Sequence, residues 1–316
     1  MGDDELEIRL TSRGKRAGGA WVQVTRGAYR RFDTHDPVLD ELRAWQAVLS
    51  PTAQLTHLSA ARVRRWWLPP LPDDLPVFVA VRGASRPQRP GLVVSRHQTL
   101  ADPDIVDGLR LAPAEETLLA CARHLGPLDL TVLLDSALRS GDCDMDVLLQ
   151  LADSGRRGSL GLTAALAWSD PRSESAWETL LRILHRVCDI EVEPQHAVTD
   201  ADGGFLGRGD LWLVGTTTLH EYDGGHHLER RRQRSDLKRV RRLGNGDWQR
   251  RGFTADDVLH QATSILRDAD LSLGRPHDPR RIRSWHDVLR RSLFTPAGTA
   301  WVRQQLGLPT IGELGA

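Results

Sequence analysis

The chain has 316 residues, and its 42 Lys and Arg balance 42 Asp and Glu, so the formal net charge is zero and no global field draws it toward nucleic acid or an anionic membrane. Its three cysteines, Cys121, Cys143 and Cys188, are far apart and odd in number, which excludes a disulfide framework or a zinc-ligand spacing. No apolar run approaches the ~18 residues of a membrane span, and the acidic start MGDDELEIRL lacks the basic opening of a signal peptide, so a cytoplasmic protein with no membrane partner is expected.

A single core usually stops growing near ~250 to 300 residues, so this length accommodates two domains. Residues 1–20 are polar and Gly-rich and are expected to be poorly ordered at first. WVQVTRGAYRRF, from Trp21 to Phe32, alternates apolar with polar side chains around a central Gly and predicts a hairpin. The period then changes: Val38, Leu39, Leu42, Trp45 and Leu49 recur at three and four, predicting a helix, and Pro51 opens a second through LTHLSAARVRRW. Four prolines between Pro69 and Pro76 end it. VFVAVR and GLVVSRH follow as two strands separated by the turn GASRPQRP. Three apolar-periodic helices come next, around 117–125, 128–138 and 144–151, joined at Gly126, Gly141 and Gly155.

Gly-bearing turns and the short helix LTAALAW, between Ser154 and Pro171, suggest a domain boundary, with one domain over 1–165 and another over 166–316. The second predicts helix, strand, strand, strand, helix, strand, helix. Its first helix runs from Ser175 to about Cys188, its strands are EVEPQHAV, FLGRGDLWLV, TTTLHEYD and WQRRGF, and a helix from Ala255 to Leu266 follows. The tail after Asp270 has room for two more helices and carries no motif.

Asp210 stands in the apolar strand GDLWLV, where a carboxylate is costly unless it is paired or bound to a cation. Eleven residues on, HEYDGGHH carries Glu221 and Asp223 two apart, and side chains at i and i+2 of a strand share a face. A hairpin partner can bring Asp210 beside them. Such a set of hard oxygen ligands suits Mg²⁺ or Mn²⁺. Glu178 on the preceding helix, with His226 and His227 after the strand, could orient or deprotonate a water for phosphodiester hydrolysis. Residues 226–251 hold ten Arg or Lys against three acidic residues, a local excess of seven positive charges that fits a phosphate-binding face.

Each feature also has a plainer reading. Ser175 to Glu178 spells a capping box, Asp223 with Gly224 a turn, and Asp210 could pair with Arg208. RRRQR could be a solvated helix face, Trp66 and Trp67 core aromatics, and the cysteines core fillers.

Residues 173–260 resemble the very-short-patch-repair-like branch of the PD-(D/E)XK nuclease superfamily, through ETLLR, GDL, the EYDGGHH block, Asp236 with Arg239 and Leu243, and the strand entered at Trp248. The resemblance implies an α/β fold, a restriction-endonuclease-like mixed sheet flanked by helices, with Glu178, Asp210 and Glu221 at acidic active-site positions. It places Asp223 where many superfamily members carry Lys, and His227 as the assisting residue. The segments RGAYRR, LTHLSAARVRRW and GLRLAPAEETLLACAR resemble the AbiEi-type antitoxin and regulator architecture, which implies a mainly helical α+β N-terminal domain whose winged helix is missing here.

The expected function is therefore a Mg²⁺- or Mn²⁺-dependent DNA endonuclease. Asp210, Glu221 and Asp223 would hold the metal, Glu178 would support it, and His227 would move a proton. Arg230, Arg231, Arg232, Arg234, Lys238 and Arg239 would hold the DNA backbone. The alternatives are a non-catalytic DNA-binding regulator or antitoxin, and a protein-binding partner in a defence or toxin–antitoxin system.

Overall fold

The computed structural model describes residues 11–13, 19–83, 87–200, 202–224 and 248–309. The fold is α/β, with mixed sheets flanked by helices. The chain divides into two compact units, Met1–Trp66 with Leu71–Cys121, and Trp67–Pro70 with Ala122–Ala316. This division falls at residue 121, well before the boundary at 165/166 read from the sequence. No helix of the described residues is long and apolar enough to cross a membrane.

In the first unit, β1 (Thr11–Arg13), β2 (Trp21–Thr25) and β3 (Ala28–Arg31) form an antiparallel sheet of order β1-β3-β2. The expected hairpin is β2 and β3, and β1 lies within the stretch expected to be poorly ordered. Helix α1 (Pro37–Val48) starts at Asp36, whose side chain accepts the Leu39 amide at 3.0 Å. The helix expected from Pro51 begins later: Gln54–Leu55 is a short strand, β4, and α2 spans His57–Val63. Strand β5 (Val77–Arg82) binds β4 antiparallel and β6 (Leu92–His97) parallel, and β7 (Asp104–Val106) and β8 (Leu109–Leu111) complete the order β6-β5-β4-β8-β7. Leu42, Trp45, Leu55, Val63, Val79 and Leu111 close its core, and Trp66 is buried as its core reading expected. Helix α3 (Ala114–Cys121) ends the unit.

The second unit opens with α4 (Pro127–Ser140), α5 (Met145–Asp153) and α6 (Ser159–Leu166), then α7 (Ala176–Val187). The three helices expected around 117–125, 128–138 and 144–151 thus split between units. Leu128 and Val132 of α4 pack in one core with Leu180, Leu181 and Leu184 of α7, which is why no boundary falls between them. Burying such side chains contributes ~1.5 to 3 kcal/mol each. Trp67 packs at the edge of the same core.

Strands β9 (Val192–Thr199), β10 (Phe205–Leu213), β11 (Thr218–Tyr222) and β12 (Gln249–Phe253) form a mixed sheet in the order β12-β11-β10-β9, antiparallel except for the β11–β12 pair. The single helix expected over 255–266 is two, α8 (Ala255–His260) and α9 (Ala262–Ser272), the first closed by a capping box between Thr254 and Asp257. The tail forms the two expected helices, α10 (Ile282–Leu289) and α11 (Pro296–Gln305). Trp285 is fully buried, and its indole N–H donates to the Val258 carbonyl at 2.9 Å.

Candidate functional site

Asp210 on β10, with Glu221 at the end of β11 and Asp223 just beyond it, makes up the acidic row. Leu211 pairs with His220 and Trp212 with Leu219, and the paired register of the hairpin ends there. On the β9 side Gly209 pairs with His196 and Leu211 with Pro194, so Asp210 and Gln195 fall at a break between the two pairs. On β12, Glu221 pairs with Gly252.

Each carboxylate in the row has protein partners. Oδ2 of Asp210 accepts the Tyr222 amide at 3.0 Å. Glu221 is 2% exposed, and its Oε2 accepts Nε of Arg250. Asp223 is half exposed, with Oδ1 accepting Nη2 of Arg250 at 2.8 Å. One guanidinium from β12 thus joins the two acidic residues of the E-x-D pair. Gly252 stands against Asp223 so closely that a Cβ there would lie 1.7 Å from Oδ2. Asp223 therefore sits at the end of β11, where its amide donates to the Phe253 carbonyl at 2.8 Å and the Gly224 amide turns back to the Tyr222 carbonyl at 3.2 Å.

Glu178 joins in capping its helix, though through the amide of Glu174, one residue before the cap residue Ser175. Its amide donates to Ser175 Oγ at 3.2 Å, its Oε1 accepts the same hydroxyl at 3.0 Å, and its Oε2 accepts the Glu174 amide at 2.7 Å. Oε2 also accepts Gln195 Nε2 at 2.8 Å, which links the helix start to the row. Gln195 has φ of 55°, a left-handed conformation unusual for a non-glycine residue inside a strand. Burial pushes the Glu178 carboxyl above its ordinary range, partly offset by these hydrogen bonds. Arg208 donates to Glu174 Oε2 at 2.9 Å.

Among the described residues, no three His, Cys, Asp or Glu side chains converge as a ready-made metal cage. Glu178 is engaged by the Glu174 amide and by Gln195 Nε2. His226, His227, Arg230, Arg231, Arg232, Arg234, Asp236, Lys238, Arg239 and Leu243 lie outside the described residues.

His220, to which the sequence analysis gives no role, is fully buried on β11 beside Glu221. His185 Nδ1 donates to the Leu181 carbonyl at 2.7 Å, since a carbonyl only accepts. His185 Nε2 stands 2.8 Å from His220 Nδ1, and His220 Nε2 stands 3.0 Å from Asp268 Oδ2, with Arg251 at 3.4 Å from the other oxygen of Asp268. Burial lowers the His185 imidazole to about 3, and burial likewise lowers His220, against the pull of Asp268. A neutral His185 with its proton on Nδ1 can accept from His220 Nδ1, while the contact of His220 Nε2 with Asp268 needs a proton on Nε2, so His220 donates in both contacts only as the imidazolium, which Asp268 favours and burial opposes. His220 and His185 thus tie the back of β11 to α7 and α9.

His196 stacks on Trp212 with ring centroids 4.2 Å apart, and Trp248 lies edge-on to Trp212 at 6.4 Å. Val198 and Leu219 are buried with them in a small apolar cluster beside the acidic row.

No family model and no curated protein matches the chain. It is similar to a solved structure, that of the RV2827C protein from Mycobacterium tuberculosis, at 21% identity over 57% of this chain and 73% of that one, with a TM-score of 0.33. A likeness this slight carries no argument about fold or function.

Proposed function

We propose that the second unit hydrolyses DNA phosphodiester bonds with a divalent ion, Mg²⁺ or Mn²⁺, held by Asp210, Glu221 and Asp223. The observation that carries this reading is the hydrogen bond from the Tyr222 amide to Oδ2 of Asp210 at 3.0 Å, which ties Asp210 to the strand that bears the buried Glu221. The chemistry of the donors is that such an ion takes, since the oxygens of Asp210, Glu221 and Asp223 are hard carboxylates. A bound ion would neutralise charge gathering on the phosphate and make its water a better nucleophile. Asp210 and Glu221 fix the coordinating oxygens through backbone held in the sheet, and Glu178 fixes Gln195 beside them. The resemblance to the very-short-patch-repair-like nucleases supports the same reading and adds His227 as the proton carrier. The positive excess over 226–251, with Arg230, Arg231, Arg232, Arg234, Lys238 and Arg239, supplies phosphate contacts.

The test is cleavage of supercoiled plasmid with Mg²⁺ or Mn²⁺. Nicking by the wild type, lost in Asp210→Asn and Glu221→Gln while their unfolding curves stay cooperative, is the expected result. A second reading, a non-catalytic DNA-binding regulator or antitoxin, is favoured by the Arg250 bridge and by the commitment of Glu178 to its helix cap. It expects equal DNA binding with and without metal, and no cleavage.

A further inference from the structure

Asp129 lies in the first turn of α4 and is fully buried. Among the described residues its oxygens meet a hydroxyl and an amide but no cation: Oδ1 meets Ser292 Oγ, and Oδ2 accepts the Leu293 N–H at 2.8 Å. Both partners belong to the turn that joins α10 to α11, and that turn is packed closely on two sides. A Cβ on Gly126, which caps α4, would lie 2.1 Å from the Arg291 carbonyl oxygen, and one on Gly298, in the first turn of α11, 1.9 Å from that of Ser292. Ser292 Oγ also accepts the Phe294 N–H at 3.3 Å, and the Phe294 ring meets Trp177 edge-on with centroids 5.2 Å apart. Trp177 stacks on Tyr222 at 5.3 Å, and the Tyr222 amide holds Asp210. A line of contacts therefore runs from Asp129 through the turn to the end of β11.

The charged and titratable groups on the elements around Asp129 are engaged elsewhere or face water. Asp135 of α4 pairs with Arg182 of α7, Arg139 of α4 with Glu174, Glu178 of α7 accepts Gln195, and His185 of α7 bonds Leu181 and His220. Arg186 of α7 is exposed, as are Arg283, His286, Asp287, Arg290 and Arg291 on α10 and its end; α6 carries no charged residue, and Arg303 of α11 donates to the Pro309 carbonyl. Burial without a counter-charge pushes the Asp129 carboxyl up to about 7. Ser292 Oγ accepts as well as donates, so the contact suits the protonated acid. Ionised, Asp129 is relieved most cheaply by opening the terminal helix, because chain ends have the lowest opening free energies.

We propose that the turn Ser292–Phe294 is a proton-linked clasp: with its proton, Asp129 holds the turn and α11 in place, and without it α11 opens and Phe294 leaves Trp177. Opening frees a carboxyl that ionises near pH ~4, so it releases a proton, and the open fraction rises by up to about tenfold per pH unit between ~4 and ~7 and levels off above. Acid thus tightens the tail behind the strand that bears Glu221.

The experiment is hydrogen exchange of the full chain from pH 5 to 8, read by mass spectrometry and expressed relative to unstructured peptide at each pH. Protection of 292–305 should fall about tenfold per unit up to pH 7 and then level off, while that of 180–184 in α7 holds. Asp129→Asn keeps an acceptor for the Leu293 amide and cannot ionise, so its 292–305 profile should be flat. A flat wild-type profile, an equal loss in α7, or an unchanged slope in folded Asp129→Asn overturns the clasp. If Asp129→Asn does not fold, the contrast between 292–305 and 180–184 in wild type decides: loss confined to the tail supports the clasp, and loss shared with α7 overturns it.

Discussion

Replacing Asp135 by Ala should cost the second unit a large part of its stability. Asp135 is fully buried on α4, and its carboxylate accepts Arg182 Nη2 at 2.6 Å, Thr179 Oγ1 at 2.7 Å and the Asp170 amide at 2.7 Å. Arg182 is itself 5% exposed, with its other nitrogens donating to the Trp168 carbonyl at 2.6 Å and to Ser173 Oγ at 3.3 Å. The substitution leaves a guanidinium in a low-dielectric interior without its counter-charge, and a hydroxyl and an amide without their acceptor. Breaking a buried pair in this way costs about 3 to 5 kcal/mol. For a unit of this size the melting temperature should fall by roughly 6 to 20 °C. The double variant Asp135→Leu/Arg182→Met, which removes both charges, should recover much of the loss. Differential scanning calorimetry on the full chain reads both. A chain beginning at residue 166, which lacks Asp135, Leu128 and Val132, should show no cooperative transition. A loss below about 1 kcal/mol for Asp135→Ala, or a cooperatively folded 166–316 fragment, would refute the reasoning that α4 and α7 share one core.

Asp129 offers a pH test. It is fully buried, accepts Ser292 Oγ and the Leu293 amide at 2.8 Å, and burial pushes its carboxyl up to about 7. A folded-state value above the unfolded one gives stability that is complete below about pH 4 and lost as pH rises through 7, on the order of 4 kcal/mol over the full range. Urea unfolding from pH 4 to 8 should show this slope in wild type and a flatter one in Asp129→Asn; identical slopes would contradict it. His185, lowered to about 3 by burial, has the opposite sign: its contribution is present above about pH 6.5 and lost as pH falls toward 3. His185→Gln should therefore flatten the acid limb of the same curves. Two glycines separate fold from site. A Cβ on Gly126 would meet the Arg291 carbonyl oxygen at 2.1 Å, a backbone clash that should destabilise by ~1 to 3 kcal/mol. Gly252→Ala meets a half-exposed side chain instead, so it should move Asp223 while leaving the melting temperature within a few degrees, a contrast thermal unfolding of the two variants reads directly.

Much of the architecture was legible because period survives in the text. The alternation of WVQVTRGAYRRF gave β2 and β3, and the spacing of Val38, Leu42, Trp45 and Leu49 gave α1. The two-residue strand β4 carries too little pattern to separate from the helix after it, and the parallel pairing of β5 with β6 is decided by tertiary contacts the turn sequence does not encode. The division at residue 121 was hidden for a related reason: α3 and α4 have similar apolar faces, and what assigns α4 to the second unit is contact across some fifty residues with α7. A clue existed. Asp129 and Asp135 interrupt an apolar helix just as Asp210 interrupts an apolar strand, and each of the three is held by named partners. Of the site, the placement of Asp210 and Glu221 on the two strands of one hairpin followed from the alternation of each strand. Arg250 did not, because an arginine in WQRRGF looks like any exposed strand residue until the parallel pairing with β11 lays it along the E-x-D edge.

The most direct test of the central claim is a crystal structure of the full chain with Mn²⁺, read from anomalous scattering. The account predicts one strong peak ~2.0 to 2.6 Å from carboxylate oxygens of Asp210 and Glu221. A protein that saturates with Mn²⁺ elsewhere, with no peak at these carboxylates, would contradict it.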